Sequence, residues 1–390
     1  MALALRLAER GMYTTQPNPR VGCVLAHGDN IVGQAWHERA GQAHAEVFAL
    51  REASARARGA CAYVTLEPCA HFGRTPPCAD ALIEAGVTRV VVASGDPNPK
   101  VDGGGLRRLR EAGIAVETGL MHDAARELNR GFFSRIERGR PWLRIKLAMS
   151  LDGRTALANG KSAWISGEAA RADVHRWRAR SSAILTGSGT VRADNPRLTV
   201  RFDSHSPDYV GGEGWGEGAA HAAASRRGER LPLTQPARPS ELGGEGFRPL
   251  RVVLDRNLRT PPIARVLDGS TPTLVFHAHG AKPGHDGFDR VECAAVESDS
   301  NGLNLLNVLR ELSARGVNEL QVEAGPTLCG ALFAAELVDE LLLYVAPVLL
   351  GDQARALLRL PGIDDMANAR RLRVIEQRQV GDDWRILLRP

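Results

Sequence analysis

Short apolar runs alternate along this chain with segments in which apolar residues recur every three or four positions. In the first part of the chain, the runs predict strands at 21–26, 31–36, 62–66, 89–93 and 114–117. The helical spacing predicts helices at 2–10, 44–58, after 79, near 106 and within 123–138. Because strands alternate with helices, we predict an α/β layer whose sheet is largely parallel.

A second set of elements follows Gly139-Arg140-Pro141, which interrupts the helical pattern. Strands are predicted at 142–149, 183–186, 251–254, 273–276, 319–322 and 341–346, with a strand pair within 372–388. One helix is predicted to start at an N-cap, Ser166, and to end at about Arg180. Two more are predicted at about 303–315 and directly after Thr327. We therefore predict two α/β domains, residues 1–140 and 141–390.

Residues 204–248 differ from the rest, being rich in Gly, Ser, Ala, Arg and Glu without any hydrophobic period. We predict a long, flexible surface insertion, with a partner-binding loop as the functional alternative.

Composition narrows the class of protein. The chain has 390 residues, of which 43% are hydrophobic and 24% charged, as in globular proteins with room for two cores. Its net charge of +5 suits a phosphorylated small molecule, whereas scattered arginines and 5% aromatic residues disfavour nucleic acid. We find no N-terminal signal pattern, no membrane-length apolar run and no disulfide-rich module among the six cysteines. These features favour the cytoplasm, where clustered cysteines more often bind metal or catalyse.

His44, Cys69 and Cys78 form the most specific pattern in the sequence, with Glu46 two residues after the histidine. A catalytic zinc keeps three protein ligands and one water, and a histidine with two cysteines is a known set. Glu46 is placed to carry protons from that water to a leaving amine. Residues i and i+2 of a helix point in different directions, so His44 and Glu46 share a site only at a helix start.

Other interpretations of these residues remain open. A structural zinc would need a fourth ligand, which His71 could supply, and the two cysteines could also be inert core residues. Cys23 and Cys61 lie in β-type runs and are predicted to be core residues. His37 is predicted to lie on the polar surface, or at most to face the substrate.

In the second half, Ile184–Thr190 and Glu323–Thr327 each read as strand, glycine turn and helix. Small residues at a helix N-terminus let backbone donors approach phosphates. Neither segment has the full GxGxxG pattern of dinucleotide-binding sites, so the alternative is that both are tight β–α turns without a bound phosphate. Asp102–Gly105 is interpreted as such a turn.

The motifs of the first half carry a family resemblance. His44-Ala45-Glu46 with Pro68-Cys69 and Cys78 resembles the cytidine-deaminase-type zinc hydrolases, which commonly have two residues between the cysteines, whereas this chain has eight. With this wider spacing, Pro17–Gly22 and Thr65–Cys69 resemble the deaminase half of the bifunctional RibD family of riboflavin biosynthesis. The resemblance implies a cytidine-deaminase-like three-layer α/β domain, zinc on the three ligands and Glu46 as the catalytic acid–base. We also expect the loop with His71 and Arg74 to line the substrate pocket.

Segments of the second half resemble the reductase half of the same family: Lys146–Gly153, Trp164–Ser166, Gly189–Pro196 and Glu323–Thr327. This implies a dihydrofolate-reductase-like fold that uses NADPH. It implies cofactor contacts at Ala148, Trp164, Thr190, Asp194, Gly325, Pro326, Thr327, Leu328, Cys329, Gly330 and Ala331. It implies substrate contacts at Ser162, Arg178, Leu198, Arg201 and Glu323.

Three basic residues have chemical roles in this picture. The guanidinium groups of Arg178 and Arg201 suit a sugar phosphate. Lys146 is expected to point toward the same site and polarise or protonate the sugar, with a solvated lysine as the alternative. The chain departs from its relatives at Arg256, where they usually carry a small hydroxyl residue near the cofactor.

Together these patterns predict a bifunctional enzyme. We expect zinc-dependent hydrolytic deamination of 2,5-diamino-6-ribosylamino-4(3H)-pyrimidinone 5′-phosphate. We then expect NADPH to reduce the ribosyl chain of 5-amino-6-(5-phosphoribosylamino)uracil to ribityl. The expected partners are this small pyrimidine ribosyl phosphate and further copies of the chain, without nucleic acid or membrane. A nucleic-acid-directed deaminase, and a deaminase whose second half only binds or regulates, are the alternatives.

Overall fold

A computed structural model of the chain describes residues 1–70, 76–99, 101, 103–201 and 248–390. Its N-terminal half contains a five-stranded sheet in the order β2-β1-β3-β4-β5. The strands are β1 (Gly22–His27), β2 (Asn30–Trp36), β3 (Cys61–Val64), β4 (Arg89–Val92) and β5 (Ala115–Thr118). The helices are α1 (Ala2–Glu9), α2 (Ala45–Ala53), α3 (Cys78–Glu84), α4 (Gly104–Glu111), α5 (His122–Leu128) and α6 (Arg130–Arg138).

The predicted hairpin and parallel part are both present in this sheet. β1 pairs antiparallel with β2 and β3, whereas β3, β4 and β5 are parallel. Helix α2 lies close against the sheet because the residues that it packs into the core, Ala45, Ala49 and Ala53, are small. A Cβ atom at Gly33 would lie 2.3 Å from the Ala49 carbonyl oxygen, so only glycine fits there.

The C-terminal half contains a nine-stranded sheet in the order β11-β10-β9-β8-β14-β6-β15-β18-β17. These strands are β6 (Trp142–Ser150), β8 (Ala183–Gly187), β9 (Leu250–Leu254), β10 (Thr273–Ala278), β11 (Glu292–Val296), β14 (Glu319–Val322), β15 (Glu340–Ala346), β17 (Arg373–Val380) and β18 (Asp383–Arg389). The short strands β7 (Arg154–Ala156) and β16 (Arg355–Ala356) pair with each other, as do β12 (Ser298–Asp299) and β13 (Gly302–Leu303). The helices are α7 (Glu168–Arg180), α8 (Ser188–Asp194), α9 (Leu305–Ala314) and α10 (Pro326–Ala334).

In this spatial order, neighbouring strands from β11 through β6 to β15 are parallel. Strand β18 then pairs antiparallel with β15, and β17 pairs antiparallel with β18. Val322 at the end of β14 pairs with Ile145 of β6 and Leu185 of β8, so Glu323, directly after β14, lies level with Lys146 and Thr186. The N-terminal half contacts the opposite edge, where these strands begin. The two α/β sheets confirm the predicted fold class.

A buried ion network joins the two halves at that amino edge. Glu319 accepts ion pairs from Arg20 (2.9 Å) and Arg144 (3.0 Å). Glu340 pairs with Arg144 (2.6 Å) and Arg130 (3.4 Å). Arg20 and Arg130 come from the N-terminal half, so these pairs fix its position. Breaking a buried pair would leave an unpaired charge at a cost of about 3–5 kcal/mol.

Several details differ from the sequence predictions. Ser166 is not an N-cap: α7 begins at Glu168 after Gly167, whose N–H donates to Asp383 Oδ2 at 2.8 Å. The predicted helix 44–58 ends at Ala53 and continues as a short 3₁₀ turn, Ser54–Ala57. The helical segment 123–138 is split at Asn129, whose amide side chain bonds to the backbone of Arg20.

Two predictions fall on residues that are not described. These are residues 204–247 of the expected insertion and the loop residues 71–75. Within the described ranges, each helix is too short or too polar to cross a bilayer.

Candidate functional site

His44, Cys69 and Cys78 come together in the structure. Their ligand atoms all lie within 4.8 Å of one another. His44 Nδ1 is 3.2 Å from Cys78 Sγ and 3.6 Å from Cys69 Sγ. One imidazole nitrogen and two sulfurs around a common point match the donor set of a three-ligand zinc site.

The backbone explains how His44 and Glu46 share this site. His44 is the N-cap of α2, with extended φ and ψ of −77° and 167°, so its side chain does not follow the helical direction. Glu46 lies in the first turn of α2. The prediction that the two residues meet only at a helix start agrees with this geometry.

The two cysteines are held at the start of α3. Cys78 is the first residue of that helix, and its N–H donates to Cys69 Sγ at 3.4 Å. The Cys78 thiol beside it lowers the pKa of Cys69 to about 4. A sulfur anion on Cys69 is therefore stable, which a zinc ligand requires.

Glu46 is the buried acid of this site. It is 3% exposed, and burial raises its pKa to about 7. Its Oε2 atom has no hydrogen-bond partner within the described residues. A carboxyl group that is neutral and charged in comparable amounts near neutral pH suits proton transfer.

Glu67 holds the loop that carries Cys69, a role that sequence reasoning missed. Its carboxylate accepts the N–H groups of Gly105 (3.0 Å), Leu106 (3.2 Å) and Gly103 (3.3 Å) at the start of α4. A Cβ atom at Gly105 would lie 1.8 Å from the Pro68 carbonyl oxygen. The available signal was an acidic residue before Pro68-Cys69 together with a run of three glycines.

The prediction that His37 lies on the polar surface is wrong. Its side chain is buried, and its ring packs edge-on against His44 at a centroid distance of 5.4 Å. Nδ1 contacts Ala43 O, and Nε2 contacts Asn18 Nδ2, both at 3.1 Å. Burial lowers the pKa of His37, which favours the neutral ring that donates at Nδ1 and accepts at Nε2.

The other cysteines and the loop residues have the following positions. Cys23 is fully buried in the core, as predicted, and Cys61 is half-buried at the start of β3. His71 and Arg74 lie outside the described residues, so a fourth ligand and their place in a pocket remain sequence-based predictions.

The second candidate site centres on a carboxylate–guanidinium pair. Arg178 donates from Nε and Nη2 to the two oxygens of Glu323, each at 2.7 Å. Burial opposes the charged carboxylate, but Arg178 outweighs it and lowers the pKa of Glu323 to about 2. Arg178 thus holds Glu323, and its remaining Nη1 donates to Thr199 O at 2.9 Å.

Lys146 lies beside this pair. Val322 and Ile145 are in register, so Glu323 and Lys146 follow next to each other. The lysine is half-buried, and burial lowers its pKa while Glu323 opposes that change. Its Nζ is 5.7 Å from the centre of the Tyr344 ring. A fully solvated lysine therefore does not describe Lys146.

The two glycine turns meet at the same edge of the sheet. A Cβ atom at Gly325 would lie 3.9 Å from Thr190 Oγ1, and one at Gly187 would lie 3.4 Å from Leu328. Helices α8 and α10 begin directly after these turns. Backbone N–H groups and small residues converge there, which fits a phosphate-bearing nucleotide.

The remaining predicted contact residues are spread around this edge. Trp164 is 78% exposed under the Arg171 guanidinium, whereas Ala148 packs near Tyr344. Leu198 and Cys329 are buried, and burial raises the pKa of the Cys329 thiol to about 12. Asp194, Arg201 and Arg256 are exposed, while Ser162 is half-buried. Arg201 donates its backbone N–H to His175 Nδ1 at 3.0 Å.

Comparison with known proteins places the chain in a family. Residues 1–94 match the cytidine and deoxycytidylate deaminase zinc-binding region, and residues 141–386 match the RibD C-terminal domain. The riboflavin biosynthesis protein RibD of Escherichia coli K12 is 45% identical over 383 residues, covering 98% of this chain and 96% of that protein. The chain belongs to the RibD family. It thus has a zinc-binding deaminase region and a reductase domain of riboflavin biosynthesis.

Solved structures extend this likeness to the RibD fold. RibD of Acinetobacter baumannii is 40% identical with a TM-score of 0.83, covering 100% of this chain and 97% of that one. A Thermotoga maritima structure is 29% identical with a TM-score of 0.80 over the same shares. It is described as a diaminohydroxyphosphoribosylaminopyrimidine deaminase and 5-amino-6-(5-phosphoribosylamino)uracil reductase.

Proposed function

We propose that this RibD-family enzyme catalyses two steps on one pyrimidine ribosyl phosphate. Its first step is hydrolytic deamination of 2,5-diamino-6-ribosylamino-4(3H)-pyrimidinone 5′-phosphate. Its second is NADPH reduction of the ribosyl chain of 5-amino-6-(5-phosphoribosylamino)uracil to ribityl. The observation that carries the proposal is the meeting of His44, Cys69 and Cys78 within 4.8 Å beside the buried Glu46. The name of the T. maritima relative supports the substrates.

For deamination, His44, Cys69 and Cys78 would hold the zinc ion, and Glu46 moves the protons. When bound, zinc supplies Lewis-acid chemistry that makes water nucleophilic near neutral pH. Glu46 accepts a proton on its carboxylate and delivers it to the leaving amino group, which departs as ammonia. The pKa of Glu46, raised by burial to about 7, lets one carboxyl group do both.

For reduction, we assign orientation and charge to Lys146, Arg178 and Glu323. NADPH supplies the hydride, and the two glycine turns with α8 and α10 suit its phosphates. Lys146 is placed to polarise or protonate the sugar oxygen. Glu323, kept ionised by Arg178, contacts sugar hydroxyls and stabilises the positive charge of Lys146. Ser162, Leu198 and Arg201 complete the proposed substrate contacts. The proposed cofactor contacts are Ala148, Trp164, Thr190, Asp194 and residues 325–331.

The organisation of the molecule is part of the proposal. We place the deaminase domain at 1–140 and the reductase domain at 141–390, which the family match beginning at residue 141 supports. We propose a cytoplasmic homo-oligomer. Val374 and Trp384, 55% and 46% exposed, share one face of the terminal strand pair and supply apolar surface for a second copy. Light scattering of the purified protein tests the oligomer.

The decisive experiment incubates purified protein with the diaminopyrimidine phosphate and NADPH, and follows ammonia release and NADPH oxidation separately. Both signals are expected, with NADPH oxidation depending on prior deamination. Ammonia release without NADPH oxidation would contradict the reductase assignment. Binding of single-stranded RNA or DNA without turnover of the pyrimidine would favour a nucleic-acid deaminase.

A further inference from the structure

The loop between α1 and β1 is held by residues of the reductase half. Asn318 Nδ2 donates to Gln16 Oε1 and to the Pro17 carbonyl oxygen, both at 2.8 Å. Ser182 Oγ donates to the same Gln16 oxygen at 3.0 Å. Asn318 directly precedes β14, and Ser182 directly precedes β8. We call residues 16–18 the bridging loop, because three hydrogen bonds from the residues just before two strands of the nine-stranded sheet converge on it.

The bridging loop leads directly to the metal ligands. Its last residue, Asn18, donates from Nδ2 to His37 Nε2 at 3.1 Å. His37 in turn bonds to the carbonyl of Ala43, the residue before His44, and packs edge-on against the His44 ring. Buried and partly buried contacts therefore run without a gap from Asn318 to the predicted zinc ligand.

Asn318 is itself held in one orientation. It is 3% exposed, and its Oδ1 accepts from Arg135 Nε at 2.6 Å, which leaves the amide N–H groups to face the bridging loop. Its backbone N–H bonds to Ser182 Oγ at 3.0 Å. The side-chain oxygen and both side-chain N–H groups of Asn318 are therefore hydrogen-bonded, and the position of the bridging loop depends on this side chain.

We propose that Asn318, a residue of the reductase half, is a positioning residue for deamination. It fixes the bridging loop, so that Asn18 and His37 keep the segment before His44 in place. The role rests on the proposed deaminase function, in which Glu46 remains the catalytic residue. The deaminase site is accordingly complete only when the reductase half is docked on it.

The test is Asn318→Asp in the full-length enzyme. Aspartate has the same size as asparagine and can still accept from Arg135. Its second carboxylate oxygen, however, replaces the two N–H donors and faces the oxygens of Gln16 and Pro17, which are also acceptors. We expect kcat/KM for ammonia release to fall at least about tenfold, because small displacements of catalytic groups are costly. Zinc content and NADPH oxidation with the deaminated substrate should stay close to wild type.

Two further variants complete the design. Arg138→Gln removes a different cross-half contact, the 2.7 Å ion pair with Asp339, and should leave deamination unchanged. Gln16→Met removes the acceptor on which Asn318 and Ser182 converge, and should reproduce the selective loss even if Asn318→Asp does not fold.

The outcomes separate this role from the function on which it rests. Wild-type deamination rates in Asn318→Asp, or an equal loss in Arg138→Gln, would overturn the positioning role alone. A parallel fall of zinc content, reduction and deamination would show that Asn318 serves folding, and would also overturn it. A wild-type protein that releases no ammonia would instead refute the proposed function, and this role with it.

Discussion

The two candidate sites of this chain are built in different ways. The metal centre draws its donors from a short stretch, since His44 and Cys78 are 34 positions apart, and their atoms converge on one point. The reductase site joins Arg178 to Glu323 over 145 positions, with Lys146 beside them on a neighbouring strand. The first brings three donor atoms to a common point, whereas the second consists of charged groups that pair with one another.

This difference decides what each site depends on. The metal centre needs three ligands of specific chemistry, two at helix starts and one on a loop, so loss of one ligand removes its chemistry. The reductase site needs strands in register, so loss of one charge leaves its neighbours in place but unbalanced. Substitutions should therefore affect one activity and spare the other, and four changes test this from the largest effect to the smallest.

Removing a metal ligand should have the largest effect. Cys69→Ala takes away one of three donors, so zinc binding and ammonia release should both be lost, while NADPH oxidation with the deaminated substrate continues. Metal analysis and the two assays measure this. Cys293→Ala, a change at an exposed cysteine, is the matched control and should retain both activities. Zinc retained at wild-type content in Cys69→Ala would remove this residue from the ligand set.

Removing the proton carrier should come next. Glu46→Gln keeps the size of the side chain and the three zinc donors but cannot transfer protons, so deamination should fall by about 10²- to 10⁴-fold. Zinc content and reduction should not change. Glu52→Gln, on the exposed side of the same helix, is the control. Substantial ammonia release by Glu46→Gln would assign the proton transfer to another group.

These two sites also show how far a sequence can be interpreted. The ligands and Glu46 could be predicted because metal chemistry restricts residue types and spacing. Most of the longer strands and helices could be placed to within a few residues because their hydrophobic periods differ, but β11 was not predicted. The partners of Asn318 and Glu67 could not, because hydrogen bonds between distant segments leave no periodic pattern. The prediction for His37 was wrong because the sequence alone does not distinguish a buried, neutral histidine from one on the surface.

The reductase site should respond less sharply than the metal centre. Lys146→Met keeps the length of the side chain but removes its charge beside Glu323, and we expect reduction to fall by about 10²-fold while deamination is retained. NADPH oxidation with the deaminated substrate measures this. Lys282→Met, at an exposed position, is the control. A variant that reduces normally would return Lys146 to the role of a structural residue.

The smallest effect should appear in stability rather than turnover. Arg178 lowers the pKa of Glu323 to about 2, below the ordinary value of 4.5, so the ionised form stabilises the folded reductase half. This contribution, about 3 kcal/mol, is fully present above the ordinary pKa and is lost as the pH falls toward about 2. Denaturant unfolding of wild type and Glu323→Gln should thus differ by a constant amount from about pH 5 to about pH 8, and converge in stronger acid. Glu117→Gln breaks the exposed pair with Arg89 and should show no such difference. If the difference in stability between wild type and Glu323→Gln persists in strong acid, packing rather than the Arg178 charge holds Glu323. The reductase site would then not be a charge-centred site, and the contrast with the metal centre would be wrong.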